Sequence, residues 1–105
     1  MKASDIRKIV YEAVPEYRNL KWPNGGSRVH CSYSDKHKIG YVALGIGLLS
    51  PEVEKILDEV GSLKTTQKAI TDGLRKVFGS KLKFNNVGRG VHDRYCHGFY
   101  FTTRG

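Results

Sequence analysis

Long apolar runs are scarce in this 105-residue sequence, and so are acidic side chains. The longest apolar run, IGYVALGIGLL at positions 39–49, is shorter than the roughly 20 residues that a helix needs to cross a bilayer. The opening segment MKASDIRKIV lacks the apolar stretch of a secretory signal. These absences predict a cytoplasmic chain with no membrane partner. At this length we expect a single domain, residues 1–105.

Cysteine is also scarce, since only Cys31 and Cys96 are present and they form no CxxC pair. This spacing excludes a zinc ribbon and a thioredoxin-like site. Because nothing points to an oxidising compartment, both thiols are expected to be free and buried. His30 and His97 each stand beside a cysteine, but neighbouring residues of a strand point to opposite faces. If the two strands pair, one face could hold both cysteines and the other both histidines, and two ligands make no zinc site. We predict no metal and no cofactor.

The acidic residues number 10 against 18 lysines and arginines, which gives a formal net charge of +8. The excess is concentrated in residues 75–105, which carry seven basic side chains and one acidic side chain. Such a balance favours a polyanionic partner, most often nucleic acid or a protein–nucleic acid complex. The alternatives are a charge that serves solubility alone, or a homo-oligomeric structural protein in which the charge is incidental.

Hydrophobic periodicity predicts the element order α-β-β-α-α-β-β. Helices are expected near residues 4–14, 51–60 and 66–78, and strands near 28–34, 39–47, 81–85 and 95–103. The first strand alternates, with Val29, Cys31 and Tyr33 on one face and the polar residues Arg28, His30, Ser32 and Ser34 on the other, as in a half-buried strand. Ser4 and Ser50 are suitable N-caps for the first two helices. Glycines at 40, 45 and 47 indicate a bulge, or a helix packed closely on the second strand. The predicted fold class is α+β, an antiparallel sheet of about four strands with the helices on one face.

The segment GRGVHDRYCHGFYF, at positions 88–101, concentrates reactive and charged side chains. Gly88 and Gly90 permit positive φ in a hairpin loop and leave backbone N–H groups open to a ligand. Arg89 and Arg94 supply guanidinium forks that suit phosphate or carboxylate. The segment is therefore predicted to be a basic loop that leads into a core strand, with an anion-binding tip.

Several residues outside this loop extend the candidate surface. The predicted nucleic-acid or partner-binding residues are Arg89, Arg94, His92, Lys81, Lys83, Tyr100, Lys21 and Arg28. The two lysines at 81 and 83 are expected on the solvent side of their strand. Tyr100 is expected on the side opposite Phe99 and Phe101, where it could stack on a base. Lys21 and Arg28, near Trp22, mark an alternative location on the first loop.

The pair His92-Asp93 raises an enzymatic alternative. Such a pair is typical of metal-dependent phosphohydrolases, and a histidine base with a loop arginine on the phosphate would make a small nuclease or phosphoesterase. These sites need further His and Asp ligands on helices, and the two other candidate carboxylates, Asp35 and Asp72, fall at turns or on solvent-facing positions. The sequence contains no nucleophile elbow, phosphate-binding loop or dinucleotide fingerprint. No catalytic residue is assigned.

The N-terminal third carries a family-like pattern in the stretch SDIRKIVYEAVPEYRNLKWPNGGSRVHCSYSD. An IRK-type helix leads through Val14-Pro15 to a strand that ends in SYSD, and this resembles a small α-β-β domain of large polyvalent proteins from phages and mobile elements. Tyr33 stands where another aromatic residue is usual. The resemblance implies a phage or mobile-element origin with a counter-defence function, and it transfers no catalytic residue. The expected function is a small basic protein that binds nucleic acid or a host nucleoprotein, such as an inhibitor of a CRISPR effector.

Overall fold

The computed structural model describes residues 1–85 and 96–104. Within them the predicted α+β order is confirmed, with two short 3₁₀ turns added. The helices are α1 (Ala3–Ala13), α2 (Pro51–Val60) and α3 (Leu63–Phe78), and the strands are β1 (Val29–Ser34), β2 (Ile39–Gly45), β3 (Lys83–Asn85) and β4 (Cys96–Thr102). No helix of the described ranges has both the length and the apolar character that a bilayer crossing requires.

The four strands form one antiparallel sheet in the order β1-β2-β4-β3. β4 therefore lies between β2 and β3, and β1 is an edge strand. The register places Tyr41 opposite Tyr100, and Lys83 opposite Thr102. Since side chains alternate between the two faces of a strand, this register decides which residues meet on each face of the sheet.

One face of the sheet packs against the helices and forms the core. Ile6 and Val10 of α1 and Ile70 and Leu74 of α3 are fully buried there. The sheet contributes the alternate residues Val29, Cys31, Val42, Leu44, Phe99 and Phe101. Tyr17, in the 3₁₀ turn Pro15–Asn19, is also buried, and its hydroxyl lies 2.6 Å from Thr66 Oγ1. The helices thus cover one face, and within residues 1–85 and 96–104 no helix lies on the other face.

Two helix starts differ from their predictions. α1 begins at Ala3, so the predicted N-cap Ser4 lies inside the first turn; the carboxylate of Asp5 instead accepts a hydrogen bond of 2.7 Å from the Lys2 backbone N–H. α3 begins at Leu63 rather than at residue 66, because Leu63 is buried and its burial draws the chain into the helix earlier. The Ser50 cap of α2 is confirmed, since its hydroxyl accepts from the Val53 N–H.

Two glycines of β2 leave room for aromatic rings that pack directly on the strand, and not for a helix. A Cβ atom added at Gly40 would overlap the ring of Phe101, and one added at Gly45 would overlap the ring of Trp22. The prediction of a helix packed on this strand is therefore wrong, although the close approach that it rested on is present. β3 is also shorter than predicted, because Gly79–Lys81 form a 3₁₀ turn.

Candidate functional site

We call the sheet face that bears no helix in the described part of the chain the open face. Its residues alternate with the core residues along each strand, and they include His30, Ser32, Tyr41, Tyr100, Thr102 and Lys83. His30, Ser32 and Lys83 are exposed, and Tyr100 is 40% exposed. The exposed side chains of the open face are thus polar, basic and aromatic, whereas Thr102 and Ala43 on the same face are buried.

Three rings from three neighbouring strands touch in sequence on the open face, and we call His30, Tyr41 and Tyr100 the aromatic row. The ring centroids of His30 and Tyr41 are 6.1 Å apart, and those of Tyr41 and Tyr100 are 4.5 Å apart. Tyr41 lies across Gly98, where an added Cβ would come within 2.5 Å of the tyrosine oxygen. Glycine at position 98 therefore lets the Tyr41 ring lie low against the sheet.

Four basic residues lie at the end of the sheet where β1 joins β2, and we call Lys36, Lys38, Lys83 and Arg104 the basic end. The β1–β2 turn brings the first two, and all four are exposed. The backbone carbonyl of Lys38 accepts a hydrogen bond of 2.9 Å from Thr103, and Thr102 pairs with Lys83, which brings the turn, β4 and β3 together.

The acidic residue at the basic end is Asp35. Its carboxylate lies 3.1 Å from the N-terminal ammonium of Met1 and 3.8 Å from Nζ of Lys38. Both pairs are solvent-exposed, so each stabilises the fold by no more than about 1 kcal/mol. One carboxylate cannot neutralise the four cationic side chains, so the basic end keeps a net positive charge.

The opposite end of the open face is closed by Trp22 and Arg28. Arg28 is 2% exposed, and its guanidinium lies 4.3 Å over the Trp22 ring. It donates hydrogen bonds of 2.5–3.3 Å to the backbone carbonyls of Lys21, Gly45, Gly47 and Leu48. Burial lowers the pKa of this guanidinium from its usual value. The expectation that Arg28 is available on a polar surface is therefore wrong: it lies on the predicted face, but Trp22 covers it.

The other predicted binding residues fall into separate groups. Lys83 and Tyr100 lie together on the open face, and Lys81 is exposed just before β3. Lys21 is exposed, but it lies at the Trp22 end, away from the basic end. The loop residues Arg89, His92 and Arg94 lie outside the described residues, and so does Asp93.

One face could hold both cysteines and the other both histidines only if β1 paired with β4, and this condition is not met. β2 lies between these strands. His30 lies on the open face, whereas His97 is opposite Leu44 and shares the core face. Within residues 1–85 and 96–104, no three histidine, cysteine, aspartate or glutamate side chains come together as metal ligands would.

Cys31 is a free thiol that is 3% exposed in the core. Burial raises its pKa to about 11, against the opposing influence of Arg7. In a Cys96→Ser variant, Cys31 is the one remaining thiol, and we expect it to resist a thiol reagent at pH 8 until urea unfolds the chain. Because the unfolded thiol ionises near 8.5, its contribution to stability should fall as pH rises from about 8.5 to 11. Rapid labelling of the folded variant would contradict this burial.

Sequence reasoning missed Tyr41 as a site residue. The strand IGYVALG could have identified it, because Tyr41 alternates there with Gly40 and Val42 and therefore faces away from the core. His30 was assigned correctly to the polar side of β1, but its ring contact with Tyr41 depends on the strand register. Comparison of the chain with protein-family models, curated proteins and solved structures finds no match.

Proposed function

We propose that this chain binds single-stranded nucleic acid across the open face, with bases on the aromatic row and phosphates towards the basic end. The observation that carries the proposal is the adjacency of these two groups at the open face of the sheet. Tyr41 and Tyr100 are in ring contact, and Lys83 lies in the strand beside Tyr100. Aromatic platforms beside basic side chains are how proteins bind single strands with little sequence preference.

A single strand fits this surface better than a duplex does. Bases in a duplex are stacked on one another, so their flat faces are unavailable to protein rings. An unpaired base can stack on an exposed ring, and each such contact contributes about 1–3 kcal/mol. Tyr100 offers the most accessible tyrosine ring of the row, because 40% of its surface is exposed. The basic end supplies the sequence-independent attraction to phosphate.

The predicted loop contacts complete this proposal. The predicted phosphate or partner contacts of the loop are Arg89, His92 and Arg94, which lie outside the described residues. Hydrolysis at His92-Asp93 is the alternative prediction for the same loop. A counter-defence protein from a phage, acting in the host cytoplasm on a nucleoprotein, could use the open face to occupy an exposed nucleic-acid strand. The net charge of +8 supports this kind of partner.

Binding to a fluorescently labelled single-stranded oligonucleotide tests the proposal. Tyr100→Ala should weaken binding by roughly 5- to 100-fold, because one stacked base is lost. Val77→Ala is the matched control, since Val77 is 51% exposed but lies on α3, on the helix side. Fluorescence anisotropy measures both affinities. Equal affinities of wild type and the Tyr100 variant would refute stacking on the open face.

The same titrations at several salt concentrations test the basic end. Lys83→Ala should flatten the slope of log K against log salt by about 0.7, the value for one phosphate contact with a single strand. Lys68→Ala removes the same charge from α3, where Lys68 pairs with Asp72 at 3.0 Å, and should leave the slope nearly unchanged. Equal flattening by both substitutions would mean that overall charge, rather than the basic end, attracts the strand.

A further inference from the structure

A pocket of about 320 Å³ lies between the Trp22 loop and the start of α2. Its wall includes the Trp22 ring and Arg28, and Asn19, Lys21, Ser50 and Glu52 contribute polar groups. An aromatic wall with a few polar groups around it is a usual form of a small-ligand site. The pocket therefore combines an aromatic residue with hydrogen-bonding groups of both kinds.

Trp22 is held rigidly at this pocket. Its backbone N–H donates to the Gly26 carbonyl at 2.7 Å, and its carbonyl accepts from Gly25 at 2.8 Å, which closes a tight turn. Gly25 has a φ of 90°, a conformation that favours glycine. Arg28 stacks on the indole at 4.3 Å and is itself fixed by four backbone carbonyls. A fixed ring loses little freedom when a ligand stacks on it.

The pocket adjoins the open face. The Trp22 ring lies against Gly45, the last residue of β2, and Gly45 is on the same face as Tyr41. A strand that crosses the aromatic row can thus continue towards Trp22. Lys21, exposed at the pocket, offers a cation to a phosphate at this end.

We infer that this pocket takes one nucleobase of the bound strand, stacked on Trp22, and that Glu52 makes guanine the favoured base. The inference rests on the proposed function. An ionised carboxylate only accepts hydrogen bonds. Guanine presents two adjacent N–H donors on its Watson–Crick edge, from N1 and N2, which match the two oxygens of Glu52. The other bases lack two such adjacent donors, so the same carboxylate discriminates against them.

Trp22 is the single tryptophan of the sequence, so its fluorescence reports on this pocket directly. Titration with the four nucleoside monophosphates should show saturable quenching by guanosine monophosphate, with a Kd about 10-fold lower than that for the others. Glu52→Gln should abolish the preference for guanine. Glu54→Gln, an equal charge change on an exposed α2 residue that does not line the pocket, should preserve it.

The outcomes separate this inference from the proposed function. Quenching by none of the four nucleotides, or equal quenching by all four, would overturn the guanine pocket even if oligonucleotides bind the open face. Selective quenching by guanosine monophosphate, lost in Glu52→Gln but retained in Tyr100→Ala, supports the pocket even if oligonucleotide binding fails. An oligonucleotide with one guanine should also bind wild type more tightly than its adenine counterpart, and this difference should vanish in Glu52→Gln.

Discussion

Replacing Arg28 with alanine is expected to lower the free energy of unfolding by about 2–3 kcal/mol, a large part of the stability of a domain this size. The guanidinium is 2% exposed and donates to four backbone carbonyls. Alanine would leave these carbonyls without their donor and would remove the support of the Trp22 ring. Among the described residues no carboxylate forms an ion pair with Arg28, so no partner anion would be left unpaired.

Urea denaturation of Arg28→Ala and Arg28→Lys measures this effect. Lysine keeps the charge but lacks the planar fork, so it cannot reach carbonyls on both loops at once. We expect its loss of stability to be intermediate. The wavelength of Trp22 emission should shift to the red in the alanine variant, because the indole loses its stacking partner. A loss below about 1 kcal/mol for alanine would show that the hydrogen bonds of Arg28 contribute little net stability.

Phe101 and Tyr100 are adjacent in β4, and replacing each with alanine should have opposite effects: the first on stability and the second on oligonucleotide binding. Phe101 is fully buried against Gly40 and contacts Phe78 and Phe84, with ring centroids 6.1 and 6.3 Å away. Phe101→Ala should therefore cost about 3–5 kcal/mol of unfolding free energy. Tyr100 lies on the open face, so Tyr100→Ala should cost no more than about 1 kcal/mol while it weakens oligonucleotide binding.

Thermal unfolding and anisotropy, measured on the same two variants, check this opposition. At a temperature where Phe101→Ala is still folded, its oligonucleotide affinity should stay close to that of wild type. If Tyr100→Ala destabilises the fold as much as Phe101→Ala does, its binding defect would reflect unfolding, and the assignment of the two sheet faces would be wrong.

The sequence alone was sufficient for the kind and order of the elements. Apolar residues at helical spacing identified the helices, and strict alternation in RVHCSYS separated the core side from the polar side of β1. The same alternation placed Phe99 and Phe101 inside and Tyr100 outside, which the burial of these residues confirms. These features are local, since they depend on spacing along a few residues. The helix ends were less predictable, because Leu63 extends α3 through burial rather than through a local cap.

Only the tertiary structure decided which outward residues meet and which are covered. Tyr41 contacts both His30 and Tyr100 because β2 lies between β1 and β4, and no local pattern in the sequence encodes that strand order. Arg28 occupies a polar position by alternation, yet it is buried because Trp22, six residues earlier, folds over it, and the loop after β2 supplies carbonyl acceptors. The face of a residue follows from its place in the strand, whereas its exposure depends on segments that are distant in sequence.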